Sequence, residues 1–182
     1  MATYVALLRG INVSGKNKIR MVELKTLFED LGYQKVTTYL QSGNVVFETA
    51  SDVMSREEGT RISQAIMTEY GYEVPVLVVP GSYLEKTKNE NPYCELGTFD
   101  TNSLYVTFLF SEPEETHRKD IVVPKNEQGL FKIAQQNVYI YCSNGYGKTK
   151  INNQYFENKL HVRATTRNWK TICALEDLSS SG

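Results

Sequence analysis

The sequence has little with which to staple itself or hold a metal. Its 182 residues include three cysteines, Cys94, Cys142 and Cys173, and two histidines, His117 and His161. The cysteines are odd in number, far apart and in no paired spacing, which argues against a disulfide framework or a zinc site; the histidines lack ligand spacing as well. Neither a metal nor a cofactor is expected. No run approaches the roughly 20 apolar residues of a membrane helix, and the start of the sequence has no basic region leading into an apolar segment. The reading is a cytoplasmic protein with reduced thiols. Net charge is almost absent too: 20 basic residues stand against 21 acidic ones, a balance that argues against a general nucleic-acid binder.

What is present is periodicity. Residues Thr3 to Leu8 are nearly all apolar and end at Arg9-Gly10, the pattern of a buried strand. Met21, Leu24, Leu27, Phe28 and Leu31 recur at helical spacing, with Gly32 placed to stop the helix. Val36 to Leu40 and Val45 to Thr49 flank Gln41-Ser42-Gly43-Asn44, a hairpin signal. Ser55 with Glu58 three residues on reads as a capping box ahead of Ile62, Ile66 and Tyr70, and Val74 to Val79 reads as a strand. The order β-α-β-β-α-β is the ferredoxin-like arrangement. Apolar residues on both faces of the first and last strands imply that something covers the outer sheet face.

Pro80-Gly81-Ser82 marks a boundary, so residues 1–80 form one α+β subdomain and 81–182 a second packed on it. In the second, strands at Leu104 to Phe110, Leu130 to Ala134 and Val138 to Cys142 combine with helices after Ser111, near Ile151 to Leu160 and at Thr166 to Leu178. This β-α-β-β-α order with extra helices resembles the first half. The fold class is thus α+β, two small α/β-sandwich subdomains.

Charge is unevenly distributed. Residues 9–20 carry Arg9, Lys16, Lys18 and Arg20 with no acid, and residues 145–170 carry six basic residues against Glu157. Two incomplete phosphate-loop patterns fall in these segments. GINVSGKN, Gly10 to Asn17, has the glycine-lysine spacing but Asn17 where a magnesium-holding hydroxyl belongs, and CSNGYGKT, Cys142 to Thr149, has Cys142 in place of the first glycine. A nucleotide triphosphatase is not expected. The surviving chemistry is backbone N–H groups freed by glycine beside a cation, which suits phosphate or carboxylate. In ATTRNWKT, Ala164 to Thr171, Thr165 or Thr166 is expected to cap a helix with Arg167 and Asn168 in its first turn, where an anion would be favoured, and Trp169 is expected to pack in the core.

RGINVSGKNKIRM, TYLQSGNVVFE, GYGKTK and TTRNWKT, in this order and over nearly the whole chain, resemble DUF1697, a bacterial family of unknown function. The resemblance implies two small α+β subdomains, the first ferredoxin-like, and no activity. Ser14 departs from the pattern, which has glycine there and a softer loop.

Three functions remain open. The first is binding of a small anionic ligand or nucleotide in a basic cleft between subdomains, with Arg9, Asn12, Lys16, Gln41, Asn44, Lys148 and Arg167 as contacts. Whether the protein is an enzyme stays open, since Ser14 and Ser42 have no evident base. The second is an interaction module or homodimer using the outer sheet face. The third is RNA binding, for which Tyr4 matches a stacking position while Asn44 and Val46 stand where the other aromatics belong.

Overall fold

The computed structural model describes residues 1–50, 56–95 and 97–180. The Ser55 capping box lies outside them. The chain divides into two compact units, Met1–Lys86 together with the chain from Ala174 onward, and Thr87–Cys173.

The first unit contains β1 (Ala2–Leu8), α1 (Met21–Asp30), β2 (Gln34–Tyr39), β3 (Asn44–Thr49), α2 (Arg56–Tyr70) and β4 (Val76–Pro80). Its antiparallel sheet has the order β2-β3-β1-β4, the ferredoxin-like topology. One face of β1 presents Tyr4, Ala6 and Leu8, which join Val45 and Phe47 of β3, Leu24, Leu27 and Phe28 of α1, and Ile62 and Ile66 of α2 in one core. Aromatic rings pack against one another within it. The Tyr33 and Phe47 rings lie 4.4 Å apart and those of Phe28 and Phe47 5.5 Å apart in an edge-on contact. Val5 and Leu7, on the opposite face, are also fully buried in the single chain. α1 stops where the periodicity said it would, since Gly32 adopts a φ of 89° that a side chain resists.

The division between units falls inside α3 (Gly81–Asn89). α4 (Pro92–Glu95), β5 (Leu104–Leu109), α5 (Glu115–Lys119), β6 (Leu130–Ala134), β7 (Asn137–Tyr141), α6 (Asn153–Leu160) and β8 (Ala164–Asn168) follow, and α7 (Trp169–Ser180) ends the described chain. The second sheet has the order β6-β7-β5-β8, all antiparallel. With β5-α5-β6-β7-α6-β8 in chain order, this unit repeats the whole ferredoxin-like plan rather than the shortened one read from the sequence. Its core gathers Val138, Ile140, Cys142, Ile151, Phe156 and Leu160.

The final strand is a correction. Residues 164–168 were expected to open a helix with Arg167 in its first turn; they form β8, in which Val106 pairs with Arg167 and Thr107 with Thr166. β-branched Thr165 and Thr166 favour extended backbone, and β5 offers an unpaired edge for it. The helix cap is Asn168, whose Oδ1 accepts the Thr171 N–H at 2.8 Å. Trp169, expected in the core, is half-buried at the start of α7.

Candidate functional site

Each of the two glycine-lysine segments has acquired a definite structure. In the first, Val13 and Lys16 form an isolated antiparallel bridge, and the Lys16 N–H donates to Val13 O at 3.0 Å. The two central residues, Ser14 at φ 51° and Gly15 at φ 76°, both sit in the left-handed region. That pair of angles belongs to the type I′ turn that closes two-residue hairpins. The segment is a hairpin, not a phosphate cradle, because its inner N–H is already bonded and α1 begins five residues after Lys16.

Asn12 ties this hairpin to its surroundings. Its Nδ2 donates to Ile19 O and to Gln41 O, both at 2.9 Å, and its Oδ1 accepts the Ile19 N–H at 2.9 Å. The β1–α1 loop is thereby joined to the β2–β3 turn. Asn44 is wholly buried and closes that turn from the other side, donating to Tyr39 O at 3.0 Å and to the Ser42 hydroxyl at 3.1 Å. Between them Gly43 presents its carbonyl to the Leu8 N–H at 2.8 Å.

Outside this clasp lies an open groove of about 610 Å³, lined by Asn12, Gly15, Lys18, Arg20, Gln41 and the first turn of α1. Arg20 stands at the N-cap position with no side-chain cap on the helix, which leaves the N–H groups of the first turn without an intrahelical partner; Met21, Val22 and Glu23 of that turn line the groove. The one carboxylate there, Glu23, pairs with the Arg20 guanidinium, and that contact holds its pKa below the usual carboxylate value.

In the second segment the loop already holds an anion, and it belongs to the protein. The Glu127 carboxylate accepts the Lys150 N–H at 2.6 Å, the Thr149 hydroxyl at 3.0 Å and the Gly129 N–H at 2.7 Å. The Lys150 N–H contributes most to lowering the Glu127 pKa. Lys148 and Lys150 line an open pocket of about 570 Å³ beside it. Behind the loop, Tyr146 donates to the Thr166 hydroxyl at 2.9 Å, which lies 2.7 Å from that of Thr107 and donates to Asn153 Oδ1 at 3.1 Å.

Glu127 yields a pH prediction. A carboxylate whose folded pKa is depressed adds stability above its unfolded pKa, about 4.3, and loses it as pH falls through the folded value. Glu127→Gln should cost about 1–2 kcal/mol at neutral pH, as charge-assisted bonds to a partly solvated loop are lost. In thermal melts from neutral pH down to about 3, the gap between the two proteins should shrink with falling pH.

Of the seven expected contacts, five lie in the first unit and two in the second. Asn12 and Gln41 line the groove, but Asn12 serves the backbone. Lys16 is exposed on the hairpin, Arg9 is half-buried at the end of β1, and Asn44 is structural. Lys148 is exposed in the second loop. Arg167 is 8% exposed, donates to the Thr165 hydroxyl at 2.7 Å and to Thr166 O at 2.9 Å, and has its pKa pushed down to about 10 by burial. Lys18 and Arg20 were visible as part of a basic run, yet nothing in the sequence singled them out from Lys16.

A family model described as a protein of unknown function, DUF1697, matches residues 1–139. The chain belongs to this family. No curated protein matches the sequence. A solved structure described as the conserved bacterial protein SP0830 from Streptococcus pneumoniae is similar over 98% of both chains, with a TM-score of 0.73 and 20% identity. At that identity the likeness is one of fold, and it extends across both units of this DUF1697 protein. Tyr4, the aromatic at the first-strand stacking position, packs against Phe47 and is 4% exposed, so it offers no face to a base.

Proposed function

We propose that this DUF1697 protein binds a small anionic ligand bearing phosphate or carboxylate groups, and that the first-unit groove is its seat. The observation that carries this reading is the uncapped start of α1, which opens on a groove beside Lys18 and Arg20. Helix N–H groups without internal partners and the positive end of the dipole favour negative charge, and Lys18 reinforces it, while the Arg20 charge is already met by Glu23. Asn12 makes the rim rigid, so little ordering is needed on binding. Positioning and charge stabilisation are what such a site supplies.

A thermal-shift screen of phosphate, pyrophosphate, nucleotides, sugar phosphates and carboxylates tests it. At a hundredfold excess over Kd the stabilisation should be about 2.7 kcal/mol, or roughly 5–10 °C for a chain of this length. Lys18→Glu should remove most of that shift while melting normally without ligand, since Lys18 is exposed. Absence of any shift for the wild type, or an equal shift for the variant, would sink the reading.

A further inference from the structure

A second groove, of about 490 Å³, runs between α1 and α2 on the first unit. Its floor is apolar: Leu27, Leu31 and Ala65 line it, and Val22 stands 78% exposed at one end. Residues 22, 26, 27, 30 and 31 fall on one side of α1 by the helical repeat, facing residues 65, 68 and 69 of α2. Val22 extends this apolar floor into solvent, whereas Leu27 beneath it is already buried in the core.

The charge of this groove has one sign. Glu23, Asp30 and Glu69 line it, and no lysine or arginine does. Glu23 is paired with Arg20, which lies outside the lining, whereas Asp30 and Glu69 form no ion pair among the described residues. The Tyr70 hydroxyl in the same wall has its pKa raised by desolvation first and then by the carboxylates of Glu23 and Glu69, with Arg20 acting the other way. An apolar trough between two helices with unpaired carboxylates along it is complementary to a helix of mixed apolar and basic character.

We propose that the α1–α2 groove docks a basic amphipathic helix of a partner protein, whose apolar side chains lie along Leu27, Leu31 and Ala65 and whose lysines or arginines pair with Asp30 and Glu69. A second copy of the chain is a poorer occupant, because Arg9, Lys16, Lys18, Lys150 and Arg163 of its two basic runs stand outside its helices rather than along an amphipathic one. An anionic membrane surface would be repelled.

The test uses the full chain and a labelled model helix of leucine, lysine and alanine, with its leucines on one face. Fluorescence anisotropy gives affinity, and backbone amide shifts give location. Binding should be saturable and weaken with salt, and the shifts should concentrate on residues 22–31 and 65–70. Replacing the peptide's lysines by glutamates, or its leucines by serines, should abolish binding. The doubly reversed protein, Asp30→Lys with Glu69→Lys, should bind at least about tenfold more weakly; both side chains are surface groups, and a far-ultraviolet spectrum confirms that the variant folds. The proposal is overturned by failure to bind at millimolar peptide, by equal affinity for the acidic peptide, by shifts elsewhere, or by an unchanged reversed protein. Sedimentation showing a dimer that Val22→Glu dissolves would instead give the groove to a second copy.

Discussion

Gly43→Ala is expected to lower stability by about 3 kcal/mol, which urea unfolding would register as a shifted midpoint with an unchanged slope. Two independent causes add. Gly43 adopts a φ of 78°, a conformation that costs an L side chain about 1–2 kcal/mol. A Cβ there would also stand 2.7 Å from the Leu8 Cβ and 2.9 Å from the Ile11 side chain, both within the wholly buried part of the core. Leu8 Cβ belongs to a central strand and cannot swing aside, so the turn must move. That movement strains the Leu8 N–H bond to the Gly43 carbonyl as well. A change below about 1 kcal/mol would mean the turn is softer than its packing indicates.

Asn12→Ala should cost a similar amount, about 3 kcal/mol, and should free the β1–α1 loop locally. The side chain supplies three bonds to backbone, and Ile19, whose N–H and carbonyl it pairs, is buried. Alanine leaves those groups unsatisfied and also tolerates the φ of 55° less well than asparagine. Asn12→Asp should be no better. It keeps an acceptor for the Ile19 N–H but turns a carboxylate oxygen toward the carbonyls of Ile19 and Gln41. Hydrogen exchange at residues 10–19 should accelerate in both variants, and retention of wild-type protection there would contradict the role assigned to Asn12.

Most of the architecture was legible because most of it is periodic. α1 carries its apolar stripe and its glycine stop, and the β2–β3 hairpin announces itself in Ser42-Gly43-Asn44. β8 was not legible. Five residues, Ala-Thr-Thr-Arg-Asn, are too few and too polar to alternate, and the same threonines that favour a strand also favour a helix cap. Only pairing with β5, 59 residues away between Thr107 and Thr166, decides between them. The same ambiguity assigns Arg167 to a helix start, whereas it is buried in a strand.

The site was half legible for a related reason. Glycine and lysine near a strand end do mark loops with unusual backbone, and both segments have it. What they do with it depends on partners that no local pattern reveals. Asn12 binds backbone atoms 7 and 29 residues away, which removes it from the ligand contacts the sequence offered. Glu127 belongs to no motif, and it fills the second loop from 23 residues away. Lys18 and Arg20 gained their position from the place where α1 begins.

A titration of isotopically labelled protein with inorganic pyrophosphate, followed through its backbone amides, probes the anion site most directly. The account requires saturable shifts centred on Gly15, Lys18 and the first turn of α1, Met21 to Glu23, with the loop around Glu127 unmoved. Saturable shifts centred on residues 142–150 instead, or none that saturate, would contradict it.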